Sequence, residues 1–296
     1  MITSDYLLKA MDKNKQVRVN IAHTTTLVEE ARRRHNTSAT ASAALGRVLT
    51  AALIMGSDLK NEKDALTLRV NGDGIAGPIV ASVDSVGHGR AFISNPAADL
   101  PSLYPGKLAV GELVGRGGYL EVIKDTGLKQ PFVGRVNLVS GEIAEDLSSY
   151  FLLSEQVPSL VALGVLVDTD LSIKAAGGLI IQAMPGADDI ILEKIENNVL
   201  QMDSISTVMF QGKDLESVLE AVMGDIAYEV IANRPLAFKC TCGRERLVAI
   251  LANLTREEIE ETIEQTGKLE VSCNFCGDVY NFTEQEIMYK KTKALD

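Results

Sequence analysis

A chain of 296 residues has room for one large or two medium domains and for a well-buried core. Its composition, 46% hydrophobic and 23% charged with no tryptophan, is ordinary for a globular protein. The net charge of −11 and a pI near 4.9 count against a surface built to neutralise phosphate, so no nucleic-acid partner is expected.

The amino terminus, MITSDYLLKAMDKNKQVRVN, lacks the basic start and apolar run of a signal peptide. Helices are expected at 24–34 and 38–58. The second contains ATASAALGRVLTAALIMG, the most membrane-like stretch of the chain. Arg47 sits at its middle and most of its residues are small, so it reads as a closely packed buried helix and no membrane association is expected. A cytoplasmic protein is expected, and the three Asn-x-Ser/Thr sequons, at Asn36, Asn253 and Asn281, are then chance matches. Strand-like runs follow at 65–70, 78–83, 90–94, 119–124 and 132–139, many separated by Gly-rich turns such as NGDGIAG and GRGG. A helix is expected at 142–156 and a closing strand at 178–184. Bunched strands with helices set apart indicate an α+β fold, a mixed α/β core domain with antiparallel hairpins over residues 1–184.

The Gly-rich turns match neither a P-loop nor a dinucleotide fingerprint, so no nucleotide is expected. His23, His35 and His88 are scattered without a partnered nucleophile. No catalytic constellation is visible, and the chain is not expected to be an enzyme.

Residues 185–235 change in character. Between Gly186 and Arg234 there are ten acidic and three basic residues. Ile191, Ile195, Val199 and Met202 share one face of a helix expected at 188–202. Leu215, Val218, Leu219, Val222, Met223, Ile226 and Val230 follow helical spacing in a second. These helices are too short and too charged to stand alone, so their apolar faces must be covered. The segment is either an ordinary packed linker or a metastable element whose apolar face can be released. Met202, Met209 and Met223 would suit an adaptable surface of the second kind.

All four cysteines fall within residues 236–296: Cys240-x-Cys242 in FKCTCGRER and Cys273-x-x-Cys276 in CNFCGDVYNF. The module reads strand, Cys turn, helix, strand, Cys turn, strand, helix, with capping boxes TREE (255–258) and TEQE (283–286). Two tight cysteine turns either side of a helical insert suit a tetrahedral four-cysteine site holding one Zn2+. Gly243 and Gly277 are expected to let the backbone turn toward the sulfurs, and Lys239, Arg244 and Arg246 to offset the charge of four thiolates. With every position filled by protein there is none for substrate or water, so the site is not a hydrolytic centre. A thioredoxin-like dithiol is the competing reading, but there the Cys-x-x-Cys opens a helix, and here Gly277 and a strand-like run follow it. The Cys-x-Cys spacing also brings Cys240 and Cys242 within reach of a strained, readily reduced disulfide.

These motifs resemble the redox switch of the 33 kDa chaperonin (heat-shock protein 33) family. VNGDGIAGPI, GRGGYLEV, EDLSSYFLLSEQVPS and AAGGLIIQAMP resemble its core domain, so the likeness covers essentially the whole chain. The resemblance implies an ATP-independent holdase, inactive while Cys240, Cys242, Cys273 and Cys276 bind zinc. Oxidation would form the disulfides Cys240–Cys242 and Cys273–Cys276, release the metal and unfold the switch module. The oxidised protein would dimerise and bind unfolding clients during oxidative and heat stress. Leu215, Leu219, Val222, Met223 and Ile226 are the candidate client-binding residues. Two other classes are set against this reading. A zinc-ribbon nucleic-acid binder would need a basic face, and an enzyme built on the core would need a strongly perturbed titratable group in a deep pocket.

Overall fold

The structure, a computed structural model, describes residues 4–102, 104, 106–266 and 269–293. The chain falls into two compact units, Met1–Lys239 and Cys240–Asp296.

The first unit is built from two sheets. Strands β1 (Tyr6–Asp12), β2 (Val17–His23), β8 (Ser159–Val167), β9 (Ile173–Ala183) and β10 (Tyr228–Pro235) form a five-stranded antiparallel sheet in the order β10-β1-β2-β9-β8. Strands β3 (Ala65–Asn71), β4 (Ile79–Asp84), β5 (His88–Ile93), β6 (Tyr119–Asp125), β7 (Phe132–Asn137) and β11 (Ala237–Phe238) form a six-stranded sheet, order β11-β5-β4-β3-β6-β7. Burial alternates residue by residue along β3, β4 and β5, the pattern of strands with one buried face. Their clean alternation is what made them legible in the sequence.

Helices α1 (Thr25–His35) and α2 (Ala39–Gly56) run where the spacing predicts. Helix α2 touches strands of both sheets, which explains why it is apolar on every side. It is long and apolar enough to cross a membrane, but 89% of it is buried within the protein. Small residues set its closeness of packing: a Cβ on Gly46 would lie 2.6 Å from Val28 Cγ1 and 2.8 Å from Val165 Cγ2. The mid-helix Arg47 is neutralised by Glu142, whose carboxylate accepts from it at 2.6 Å. Burial would raise the Glu142 carboxyl, but Arg47 and Lys107 together hold it below the usual range.

The two Gly-rich turns dock on one another. Gly74 donates to the carbonyl of Val114, and Gly117 to the carboxylate of Asp73. A Cβ on Gly118 (φ 156°) would strike the carbonyl of Asn71 at 2.0 Å. Close backbone approach therefore accounts for these glycines.

Three expectations change. The helix expected at 142–156 is α4 (Ala144–Tyr150) followed by one π-helical turn, Phe151–Glu155. The linker holds three helices, α5 (Asp189–Leu200), α6 (Ile205–Phe210) and α7 (Leu215–Met223). Helix α7 does not continue through Ile226 and Val230: Gly224, at φ 56°, stops it, and Val230 lies on β10, half exposed. Periodicity alone cannot register that stop. A short helix α3 (Val110–Val114) and strands β1, β2, β8 and β10 add to the predicted elements.

Candidate metal centre

The second unit contains α8 (Arg244–Leu251), α9 (Arg256–Thr266), the antiparallel pair β12 (Leu269–Ser272) and β13 (Val279–Phe282), and α10 (Glu284–Lys293). Both predicted capping boxes form. Glu258 N–H donates to Thr255 Oγ1 while Thr255 N–H donates to Glu258, and Thr283 and Glu286 repeat the exchange. The helices and hairpin close over a small core in which Ile259, Leu269, Phe282 and Ile287 are buried.

Cys240 and Cys242 precede α8, and Cys273 and Cys276 form the turn of the β12–β13 hairpin. That turn is held by Cys273 N–H donating to the carbonyl of Asp278 (2.9 Å) and Gly277 N–H to the carbonyl of Cys273 (2.8 Å). Gly277 takes φ 74°, as the turn requires. Gly243 departs from expectation: its backbone is extended (φ −171°) and it caps α8.

The four sulfurs lie within 4.8 Å of one another. Cys240 Sγ stands 3.7 Å from Cys273 Sγ, and Cys242 Sγ 3.2 Å from Cys276 Sγ. A tetrahedral zinc centre of four sulfurs with bonds of ~2.3 Å has edges of about 3.8 Å, so the donor set and its size fit that metal. No disulfide joins the four cysteines.

The sulfurs differ in proton affinity. Burial pushes the Cys276 thiol well up, aided by hydrogen bonds with Cys242, Cys273 and Cys240, and burial likewise raises Cys240. At Cys242 burial acts in the same direction, but hydrogen bonds from Tyr280 and the neighbouring thiols outweigh it and hold the thiol below its ordinary value. Tyr280 Oη lies 3.5 Å from Cys242 Sγ, and this bond is the main reason its own phenol rises to about 12. Motif spacing assigns no role to this tyrosine, although it stands only four residues after Cys276 in the expected strand.

Two of the three basic residues expected to offset thiolate charge are otherwise engaged. Arg244 makes a bidentate bond to the Glu286 carboxylate, donates to the carbonyl of Asn281 and stacks over Phe282. Arg246 donates to Thr241 Oγ1. The backbone N–H of Lys239 donates to the carbonyl of Gly89.

The candidate client-binding residues lie in the first unit. Leu215, Leu219, Val222 and Met223 are buried and Ile226 is partly buried. They pack with Ile205, Val208 and Met209 onto Leu8, Val19, Ile21 and Leu179, on the face of the five-stranded sheet opposite α2. The linker is not uniformly covered, however. Ile190, Leu200 and Phe210 on its helices are more than half exposed.

An α+β unit followed by a small module with four cysteines placed to hold a metal is the architecture of a chaperone family. A family model described as "Hsp33 protein" matches residues 5–283, and the chain belongs to that family. It is 45% identical over 283 residues to the 33 kDa chaperonin of Desulforamulus reducens, covering 96% of each chain. The identity is 43% over 283 residues to that of Clostridium botulinum strain 657, with the same coverage. Among solved structures, the 33 kDa chaperonin (heat shock protein 33 homolog) of Thermotoga maritima matches with a TM-score of 0.89 and 37% identity, covering 99% of each chain. Membership makes the protein a chaperone whose partners are unfolding clients, and relatives so named are not enzymes.

Proposed function

We propose that this chain is a redox-regulated, ATP-independent holdase of the cytoplasm. In this reading residues 1–184 act as the core, 185–235 as a releasable linker and 236–296 as the switch. In the reduced state Cys240, Cys242, Cys273 and Cys276 hold one Zn2+, which keeps the sulfurs as thiolates and ties α8 to the β12–β13 hairpin. The observation that carries this reading is four unbridged sulfurs converged within 4.8 Å in a unit with so small a core.

On oxidation, Cys240 pairs with Cys242 and Cys273 with Cys276. Each thiolate pair gives two electrons to one hydrogen peroxide, which takes two protons from solvent and leaves as two waters. Loss of thiolate ligation removes the ~10–16 kcal/mol that structural zinc typically supplies, as much as the whole stability of an ordinary domain. The second unit unfolds, the linker helices leave the sheet, and Leu215, Leu219, Val222, Met223 and Ile226 join the exposed Ile190, Leu200 and Phe210 as client-binding surface. The oxidised protein acts as a homodimer.

The test is zinc content and suppression of client aggregation, measured before and after peroxide at elevated temperature. We expect zinc loss and holdase activity to appear together, with disulfides only within each pair by peptide mapping. Activity with zinc retained, or a Cys242–Cys273 bridge in the active form, would reject the reading. A variant with Leu219→Ser and Met223→Ser removes buried contacts worth about 2–5 kcal/mol each. It should suppress aggregation while still reduced, with a protease-sensitive linker. An unfolded linker without activity would show that linker release is not the switch.

A further inference from the structure

We propose that the first unit carries a binding site for a small neutral aromatic compound bearing one N–H or O–H donor, anchored on Asn20. A cavity of about 350 Å3 lies between the five-stranded sheet, the end of α2 and the π-helical turn, within the range of ligand pockets. Its walls are mixed: Met55, Leu66, Phe151 and Ile180 supply apolar surface, and amide and charged side chains line the rest.

Three independent features point to a ligand. The first is Asn20 itself, on β2. Its side chain is 2% exposed and its Oδ1 is buried with no hydrogen-bond partner. Buried amide oxygens are nearly always satisfied, and here no neighbouring side chain does it. A bound donor would. The second is the π-helical turn, a backbone irregularity that gathers at functional sites. Here it sets Phe151 and Glu155, four residues apart, on the same cavity.

The third feature decides the charge of the ligand. The carboxylates that line the cavity are already matched. Asp58 pairs with Lys9 and with Arg18, Glu155 with Lys124, and Asp64 accepts from the N–H groups of Lys60 and Asn61. A cationic ligand would lose its hydration without gaining an unmatched carboxylate, whereas a neutral ring loses little. The apolar side chains on the cavity, its matched carboxylates and a single orphaned acceptor together describe a ring system with one donor.

Indole and indene, the same shape with and without the N–H, provide the test. The full-length reduced protein, labelled at its methionine methyls, would be titrated with each. We expect indole to bind about tenfold tighter than indene, the worth of one buried hydrogen bond. The shifts should centre on the Met55 methyl and spare Met223, which sits on the other face of the sheet. Asn20→Leu should abolish the preference. If that variant fails to fold, the comparison on the unaltered chain still decides. Equal affinity for the two compounds would remove Asn20 as the anchor. Binding of neither would leave a cavity that holds only water, and shifts centred away from Met55 would move the site elsewhere. Each of these results overturns the proposal.

Discussion

Tyr280 is the side chain that breaks the symmetry of the four thiols. By donating to Cys242 it stabilises the thiolate there, while burial raises the Cys276 thiol. Donors in this outer layer orient ligating atoms and commonly change metal affinity 10–100-fold. Tyr280→Phe is therefore expected to weaken zinc retention by about tenfold, read as chelator competition against the parent chain. Unchanged retention would mean that the phenol is a bystander. Glu286 supports a second prediction. The N–H of Thr283, Arg244 and the Thr283 hydroxyl hold its carboxyl at about 2. The folded value lies below the unfolded one, so the stability it contributes is complete above the ordinary carboxylate range and is lost as pH falls toward 2. Its carboxyl carbon resonance should titrate near that value. A midpoint in the ordinary range would show that the Arg244 pairing does not persist in solution.

Among the elements, α7 bears most directly on the proposed switch. Its amphipathic spacing is ordinary, but three attachments fix it. The Asp214 carboxylate caps its N-terminus by accepting from Ser217 N–H, Asn198 donates to the carbonyl of Val222, and Tyr6 on β1 reaches its first turn. The Tyr6 hydroxyl accepts from Leu215 N–H at 3.0 Å and donates to Glu216 at 2.9 Å. Burial, with Glu216 adding to it, raises this phenol to about 12, so it stays a donor throughout the physiological range. Tyr6→Phe keeps the ring and deletes both bonds. It should loosen α7 by about 1–2 kcal/mol. Hydrogen exchange should then rise in α7 before it rises in β9, and uniform exchange across both would show that α7 has no separate stability.

For the whole molecule, the contrast between the two units sets how it responds to metal removal. The first unit has two sheets, a largely buried central helix and two extensive apolar clusters. The second has, among the described residues, four buried apolar side chains outside its cysteines, and α8 contributes none of them. On the proposed reading, a unit so thinly cored would fold on the free energy of ligation. Chelation of the reduced protein is therefore expected to melt residues 240–296 while the first unit keeps a cooperative thermal transition. Amide exchange separates the two. Protection surviving across β12 and β13 after chelation would mean that the module is stable without its metal.

The chain by itself determined whatever depends on neighbours a few residues away. The cysteine turns, both capping boxes, the alternating strands β3 to β5 and the outline of α2 were all legible, because each signal acts over about one turn or one hairpin. Sheet pairing is a different matter. Strand β1 pairs with β10 across more than 200 residues, and β2 and β9 carry polar residues such as Asn20 and Gln182 within apolar runs. With both faces of that sheet covered, by α2 and by the linker helices, their hydrophobic pattern has no period of two to read. Only the tertiary structure decided that Arg47 would meet Glu142, that Arg244 would be spent on Glu286, and that α7 would stop at Gly224. The cavity at Asn20 belongs to the same class. Its walls come from strands, a helix end and a π-turn far apart in the chain, and contacts of that range leave no local trace in the residues that make them.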